Sequence, residues 1–198
     1  MRKILSILLL SLFCMGSQAQ VKMARIQTRN QRVLTHEDSL ALIKQMQERM
    51  AEAAKQRPIG SKVKDMTMAD ANGKQHSLSE WTGKGQWVLI DFWASWCGPC
   101  LGELPNVVAN YEKYHSKGFE IIGISFDNRK EPWLAAIERL KMTWPNLSDL
   151  KGWQSLGSET FGIRSIPANI LVDPNGRITD LDLRGEALGK RLAEIYGK

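Results

Sequence analysis

Two cysteines, Cys97 and Cys100, lie two residues apart in the stretch WCGPC. Thiols at this spacing can bind a metal ion, form a structural disulfide or exchange electrons. A closed zinc site needs four ligands, and the three histidines of the chain are scattered singly, so metal binding is disfavoured. A structural disulfide here would close a very short loop and constrain little of the unfolded chain. The spacing therefore favours redox exchange.

The predicted elements around the pair give the two thiols different tasks. The apolar run Trp87–Trp93 predicts a buried strand, and residues 98–117 predict the helix that follows it. We expect Cys97 to be the exposed nucleophile, because the positive end of the helix dipole lowers the pKa of a thiol there. Cys100, one turn further into the helix, is placed to attack the mixed disulfide that Cys97 forms.

A single charged residue, Asp91, interrupts the apolar strand that leads to the cysteines. Burial disfavours a charged carboxylate and raises its pKa, which makes Asp91 a candidate to accept the proton that Cys100 loses before it attacks. The alternative is that Asp91 only binds backbone groups or water inside the fold.

Residues 1–19 match the pattern of a cleavable secretory signal, with a basic start, an apolar run and small residues before a cleavage site after Ala19. The apolar run is well short of the ~18 residues that a membrane span needs. Lipoprotein anchoring through Cys14 is the alternative, and the bulky Phe13 before it argues against that route. We therefore predict a periplasmic protein, and no spanning helix is expected.

Residues 20–57 are predicted to form an extension, and residues 58–198 a single folded domain. Leu40, Ile43 and Met46 recur in the extension at helical spacing and predict an amphipathic helix. This helix either packs on the domain or binds a partner. The basic residues that follow the signal are not interleaved with aromatic ones, so no nucleic-acid partner is expected.

In the domain, strands and helices alternate, which predicts an α/β fold with a central mixed sheet and helices on both faces. The cysteines fall at a turn from strand to helix, where open sheets of this kind place their chemistry. The further predicted elements are an N-terminal hairpin (63–68 with 75–78), strands at 119–126 and 170–172, a returning strand at 177–183, and helices at 130–141 and 188–196.

The stretch VLIDFWASWCGPC resembles thioredoxin, and CLGELP (residues 100–105) resembles the TlpA/ResA type of exported thioredoxin-like proteins. The stretch SIPA (residues 165–168) is similar to the cis-proline loop of that family. The resemblance extends from about Pro58 to Lys198. It implies a thioredoxin-like fold with an N-terminal hairpin and an inserted strand-helix element at about 127–162.

Carried over to this chain, the resemblance implies that Cys97 attacks, Cys100 resolves, and Pro167 follows a cis peptide bond. Ile166 would then offer its backbone to an extended substrate peptide. The residues that frame the cysteines are expected to contact the substrate as well; these are Trp96, Gly98 and Pro99.

Glu103 resembles the active-site glutamate of this family. It is equally consistent with an ordinary acidic residue in the first turn of a helix. Because the chain has both Asp91 and Glu103, the choice between them as the main proton acceptor stays open.

The resemblance implies an exported thiol-disulfide oxidoreductase that reduces disulfides of extracytoplasmic proteins, uses no cofactor and draws electrons from a membrane-bound donor. A thiol peroxidase is one alternative, but the usual peroxidase proline and hydroxyl residue are replaced by Ile90 and Ala94. A metal-binding or copper-binding module is another, but the chain lacks the Cys-x-x-x-Cys spacing and neighbouring histidine that would favour it.

Overall fold

The structure is a computed structural model that describes residues 36–197. It divides into two units, one ending at Gln47 and the other starting at Glu48. The predicted signal peptide and Cys14 lie outside the described residues, so the predictions about them stay predictions. Within 36–197, no helix is both long and apolar enough to cross a membrane.

A helix, α1 (His36–Ala54), occupies the position that the apolar spacing of the extension predicts. Two acidic residues in its first turn, Glu37 and Asp38, stabilise the helix because their negative charges lie at the positive end of the helix dipole. That this helix either packs on the domain or binds a partner stays a prediction.

The second unit is built on one mixed sheet of seven strands in the order β2-β1-β5-β4-β3-β6-β7. The strands are β1 (Thr67–Asp70), β2 (Gln75–Ser77), β3 (Trp87–Trp93), β4 (Phe119–Ser125), β5 (Asn146–Ser148), β6 (Ala168–Val172) and β7 (Ile178–Leu181). The helices are α2 (Gly98–Tyr114), α3 (Lys130–Arg139), α4 (Leu156–Phe161) and α5 (Glu186–Tyr196). Short 3₁₀ helices cover Leu78–Glu80, His115–Lys117 and Gly152–Gln154.

Parallel pairing joins β3 to β4 and β4 to β5, and the remaining strand pairs are antiparallel. The predicted mixed sheet is thus confirmed. β3 lies inside the sheet between β4 and β6, and its residues after Trp87 are all buried, as its continuous apolar run predicts. In this register Asp91 lies opposite Gly123 of β4 and Asn169 of β6.

The predicted N-terminal hairpin is present but shorter than expected. β1 begins only at Thr67, because the chain before it pairs with the C-terminal hairpin instead. The amide of Val63 donates to the carbonyl of Gly176 at 2.9 Å, and that of Gly60 donates to the carbonyl of Ile178 at 2.7 Å. The segment that leads into the domain therefore lies along β7.

The inserted segment at about 127–162 contains α3 as predicted, and also β5 and α4, which the sequence patterns did not separate. β5 has only three residues, and all are buried between β1 and β4. A strand this short shows no measurable alternation, and α4 has only six residues. β5 depends on its pairing with β1 and β4, whereas α4 has local capping at both ends, from the Ser155 side chain and from left-handed Gly162.

Gly123 of β4 is closely surrounded by buried side chains. A β-carbon there would lie 2.2 Å from Oδ1 of Asn146 and 3.1 Å from Nε1 of Trp93. We expect Gly123→Ala to lower the free energy of unfolding by about 1–3 kcal/mol, because the buried neighbours must move. Urea denaturation measures this change.

Gly102→Ala provides the matched control. Gly102 lies in α2, and a β-carbon there would meet nothing within 4 Å. This variant should be more stable than the wild type by about 0.5–1 kcal/mol, because alanine favours a helix interior. Equal effects of the two substitutions would contradict the packing described for β4.

Candidate active site

Cys97 and Cys100 form a disulfide at the start of α2, with the sulfur atoms 2.05 Å apart. Cys97 is the N-cap residue, and its sulfur accepts a hydrogen bond from the amide of Cys100 at 3.2 Å. Pro99 lies in the first turn, where its missing N–H has no helical partner to lose. The strand-to-helix turn therefore brings both sulfurs to one helix N-terminus.

The prediction that Cys97 is exposed was wrong for this oxidised form. The residue keeps 5% of its surface exposed, against 2% for Cys100, because its side chain turns back over the first turn of α2. The predicted order of exposure holds, although the difference is small. The bond from the Cys100 amide would also stabilise a thiolate at Cys97 once the disulfide is reduced.

A buried carboxylate, Asp127, holds the turn that precedes the cysteines. Its Oδ1 accepts from the Ser95 hydroxyl at 2.6 Å, and its Oδ2 accepts from the Ser95 amide at 3.0 Å. Oδ2 also accepts from the Ser125 hydroxyl at 2.7 Å. Asp127 was not predicted from the sequence, although an acidic residue just after an apolar predicted strand is a signal that could have identified it.

Asp91 is buried beneath this turn on β3, with 6% of its surface exposed. Desolvation raises the pKa of its carboxyl group to about 7, and repulsion from Glu103 acts in the same direction. Attraction to the Arg184 guanidinium opposes them. Within residues 36–197, no group donates a hydrogen bond to the Asp91 carboxylate, so its charged form is poorly stabilised.

Glu103 has a structural contact that its place in α2 did not reveal. Its Oε1 accepts a hydrogen bond from Nδ2 of Asn106 at 2.8 Å and another from the amide of Gly185 at 2.7 Å. Gly185 is the N-cap residue of α5. Glu103 therefore ties α2 to the start of α5, and it also acts electrostatically on Asp91.

The peptide bond between Ile166 and Pro167 is cis, as the resemblance implies. Both residues are half-buried. Arg184, from the segment after β7, donates a hydrogen bond to the carbonyl of Pro167. Asn169 fixes that segment through two bonds with the backbone of Leu183, at 2.7 and 2.9 Å.

The three residues that frame the cysteines, Trp96, Gly98 and Pro99, are all exposed. Trp96 is 52% exposed and packs against Trp153, with 6.2 Å between ring centroids. Trp153 is itself 47% exposed and was missed in the sequence. The two rings form an apolar surface beside the disulfide.

The site offers little to a metal ion. Across residues 36–197, no three His, Cys, Asp or Glu side chains converge so that they could hold one. The arrangement instead combines a disulfide at a helix N-terminus, a buried carboxyl group with a raised pKa and a cis-proline loop. These groups are suited to thiol-disulfide exchange.

Comparison with known proteins agrees with this chemistry. Residues 59–181 match the model of the AhpC/TSA family. The chain is 30% identical over 140 residues to the thiol-disulfide oxidoreductase ResA of Bacillus thuringiensis subsp. konkukian, covering 71% of this chain and 78% of that protein.

Solved structures give the same picture. The thioredoxin domain of a thiol-disulfide oxidoreductase from Bacteroides vulgatus is 36% identical, with a TM-score of 0.64, covering 70% of this chain and 97% of that one. A thiol:disulfide interchange protein from Bacteroides sp. is 34% identical, also with a TM-score of 0.64, covering 72% and 93%.

The raised pKa of Asp91 predicts how stability changes with pH. Between its usual value of 3.8 and about 7, the unfolded chain ionises Asp91 while the oxidised folded chain keeps it protonated. Folding stability is therefore lost as the pH rises through this window. In Asp91→Asn this loss is absent, so the variant should gain stability relative to wild type between pH 4 and 8, by up to about 4 kcal/mol.

Urea denaturation of the oxidised wild type and of Asp91→Asn at several pH values measures this difference. Contributions from titrating groups that do not interact with Asp91 cancel when the two curves are subtracted. A difference that stays constant from pH 4 to 8 would contradict a raised pKa at Asp91.

Proposed function

The chain belongs to the AhpC/TSA family, and we propose that it reduces disulfide bonds of extracytoplasmic proteins through the Cys97/Cys100 dithiol. The observation that carries this proposal is the disulfide at the N-terminus of α2, where the Cys100 amide binds the Cys97 sulfur. The similarity to thiol-disulfide oxidoreductases supports it.

In the first step, the thiolate of Cys97 attacks one sulfur of the substrate disulfide. A bond forms between Cys97 and that sulfur, and the other substrate sulfur leaves as a thiolate that takes up a proton. The thiolate of Cys100 then attacks the Cys97 sulfur and expels the second substrate thiol. Two electrons pass from the dithiol to the substrate, and the enzyme is left with its own disulfide.

Cys100 must lose its proton before the second step, and of the two carboxylates Asp91 is the one whose pKa and free oxygens suit it to accept that proton. A base with a pKa of about 7 can exchange protons near neutral pH. Glu103 has an oxygen already engaged by Asn106 and Gly185. We therefore assign proton transfer to Asp91 and an anchoring role to Glu103.

The substrate would lie over the exposed residues beside the disulfide. We propose that exposed Trp96, Gly98 and Pro99 form one side of the substrate surface, and that half-buried Ile166 and Pro167, on the cis-proline loop, form the other. Aromatic surface of this kind suits the apolar parts of a polypeptide.

Export through the signal at 1–19 would place the enzyme in the periplasm. Each turnover leaves the enzyme oxidised, so a donor of two electrons must restore the dithiol. We propose that this donor is bound to the membrane and meets the oxidised pair at the same exposed surface.

Trapping experiments test the proposed order of attack. Cys100→Ser should accumulate a mixed disulfide with a disulfide-linked peptide, because the resolving thiol is missing. Cys97→Ser should form none, and it should lose disulfide reductase activity. Mass spectrometry of the products measures both outcomes, and a mixed disulfide through Cys100 in the wild type would contradict the assignment.

The same assay separates this function from peroxide reduction. Ala94, three residues before Cys97, is fully buried and carries no hydroxyl group. We expect wild-type protein to reduce the peptide disulfide faster than hydrogen peroxide. Faster turnover of the peroxide would overturn the proposal.

The assignment of proton transfer predicts different effects of two neutral substitutions. Asp91→Asn should slow release of the second substrate thiol about 100-fold near pH 7, because the base for Cys100 is lost. Glu103→Gln should slow it far less, since an amide oxygen can still accept both hydrogen bonds. Single-turnover measurement of thiol release compares them, and the reverse order would assign the proton to Glu103.

A further inference from the structure

A cavity of about 300 Å³ lies beside the cis-proline loop. Ser165 and Ala168, which flank the cis peptide bond, form part of its wall. Three arginines line the same cavity, Arg57, Arg164 and Arg184, together with one acid, Asp182. The thiol-disulfide exchange proposed above does not require these three arginines.

Arg57 is the unusual member of this group because it is buried without adequate partners. Only 9% of its surface is exposed, and its Nε and Nη1 atoms are buried with no hydrogen-bond acceptor. Its Nη2 lies 3.6 Å from Oδ2 of Asp182, which is too long for a good hydrogen bond. Burying a guanidinium group in this way is costly unless an acceptor completes its contacts.

The charge of the cavity is also unbalanced. Asp182 is the single acid facing the three guanidinium groups, and its other oxygen is 3.9 Å from Nη2 of Arg184. Within the part of the chain that the structure describes, exposed Arg164 forms no salt bridge. Water could satisfy the free N–H groups, but it cannot neutralise the excess positive charge.

Arg184 connects the cavity with the active site. It donates to the carbonyl of Pro167, and its charge also acts on Asp91. An acidic group bound in the cavity would therefore sit next to the loop proposed to hold the substrate peptide. Guanidinium groups bind carboxylates strongly because their planar N–H donors match the two oxygens.

We propose that this cavity is a subsite for a carboxylate side chain of the substrate protein, an Asp or Glu close to the cysteine that Cys97 attacks. Arg57 and Arg164 bind the carboxylate, while Arg184 positions the loop. The subsite rests on the proposed function and specifies its substrates as proteins with an acidic residue near the disulfide.

Disulfide-linked dimers of end-blocked peptides test this subsite. In one series a single Asp is placed at each position up to three residues before or after the cysteine, and in the matched series Asn replaces it. Single-turnover reduction by the pre-reduced full chain is followed by tryptophan fluorescence. At one position at least, the Asp peptide should react about five- to tenfold faster at low salt, and ~0.5 M NaCl should reduce this preference.

Two arginine variants identify the site responsible. In Arg57→Gln and in Arg164→Gln the preference for Asp should fall towards one, while the Asn peptides react at the wild-type rate. Arg164 is exposed, so its removal should leave folding unaffected. Lys117→Gln removes one positive charge from an exposed position just before β4, and it should keep the full preference.

Three outcomes would overturn the subsite. One is equal reaction of Asp and Asn peptides at every position, and another is a preference that persists in both arginine variants. The third is an effect of sodium phosphate. If phosphate slows reduction of the Asp and Asn peptides equally by the wild type, but does not slow it in Arg57→Gln, the cavity binds a free anion.

Failure of the proposed function has a separate signature, namely that wild type reduces neither peptide faster than Cys97→Ser does. Equilibrium binding to the oxidised chain then decides the subsite. Tighter binding of the reduced Asp peptide than of its Asn counterpart, lost in Arg57→Gln, would uphold it, and equal binding would overturn it.

Discussion

The active site depends on the carboxylate of Asp127, which joins the end of β4 to the turn that carries the cysteines. Three hydrogen bonds from Ser95 and Ser125 satisfy this buried charge, and they fix the direction in which the chain leaves β3. The amide of Phe126 also donates to the carbonyl of Trp93 at 2.8 Å. With this turn in place, Cys97 becomes the N-cap residue of α2 and both sulfurs meet at the helix N-terminus.

Two buried acidic residues, Asp127 just after β4 and Asp91 within β3, thus serve different purposes. Asp127 has donors on both oxygens, which suits a residue that only supports structure. Asp91 has none among the described residues, and burial raises its pKa to about 7. A group left without hydrogen-bond donors costs stability, and that cost is consistent with a role in moving protons. The charge of Glu103 raises the pKa of Asp91, and the charge of Arg184 lowers it.

Much of the fold could be predicted because its signals are local. The continuous apolar run of β3, the helix after the cysteines and the stretch SIPA before β6 each occupy a few neighbouring residues. The missed features join distant parts of the chain. Ser95 and Asp127 are 32 residues apart, and Arg57 reaches the cavity from the predicted extension. Patterns among neighbouring residues do not indicate contacts between distant parts of the chain, and β5 is too short to show a hydrophobic period.

The reduction potential of the Cys97/Cys100 couple tests the central claim most directly. Equilibration of the protein in defined thiol-disulfide buffers can be followed by tryptophan fluorescence, because Trp96 lies next to the pair. A dithiol that reduces other proteins should have a potential near or below about −250 mV. A potential near about −120 mV would instead indicate an oxidant, and failure to form the intramolecular disulfide would contradict the redox account itself.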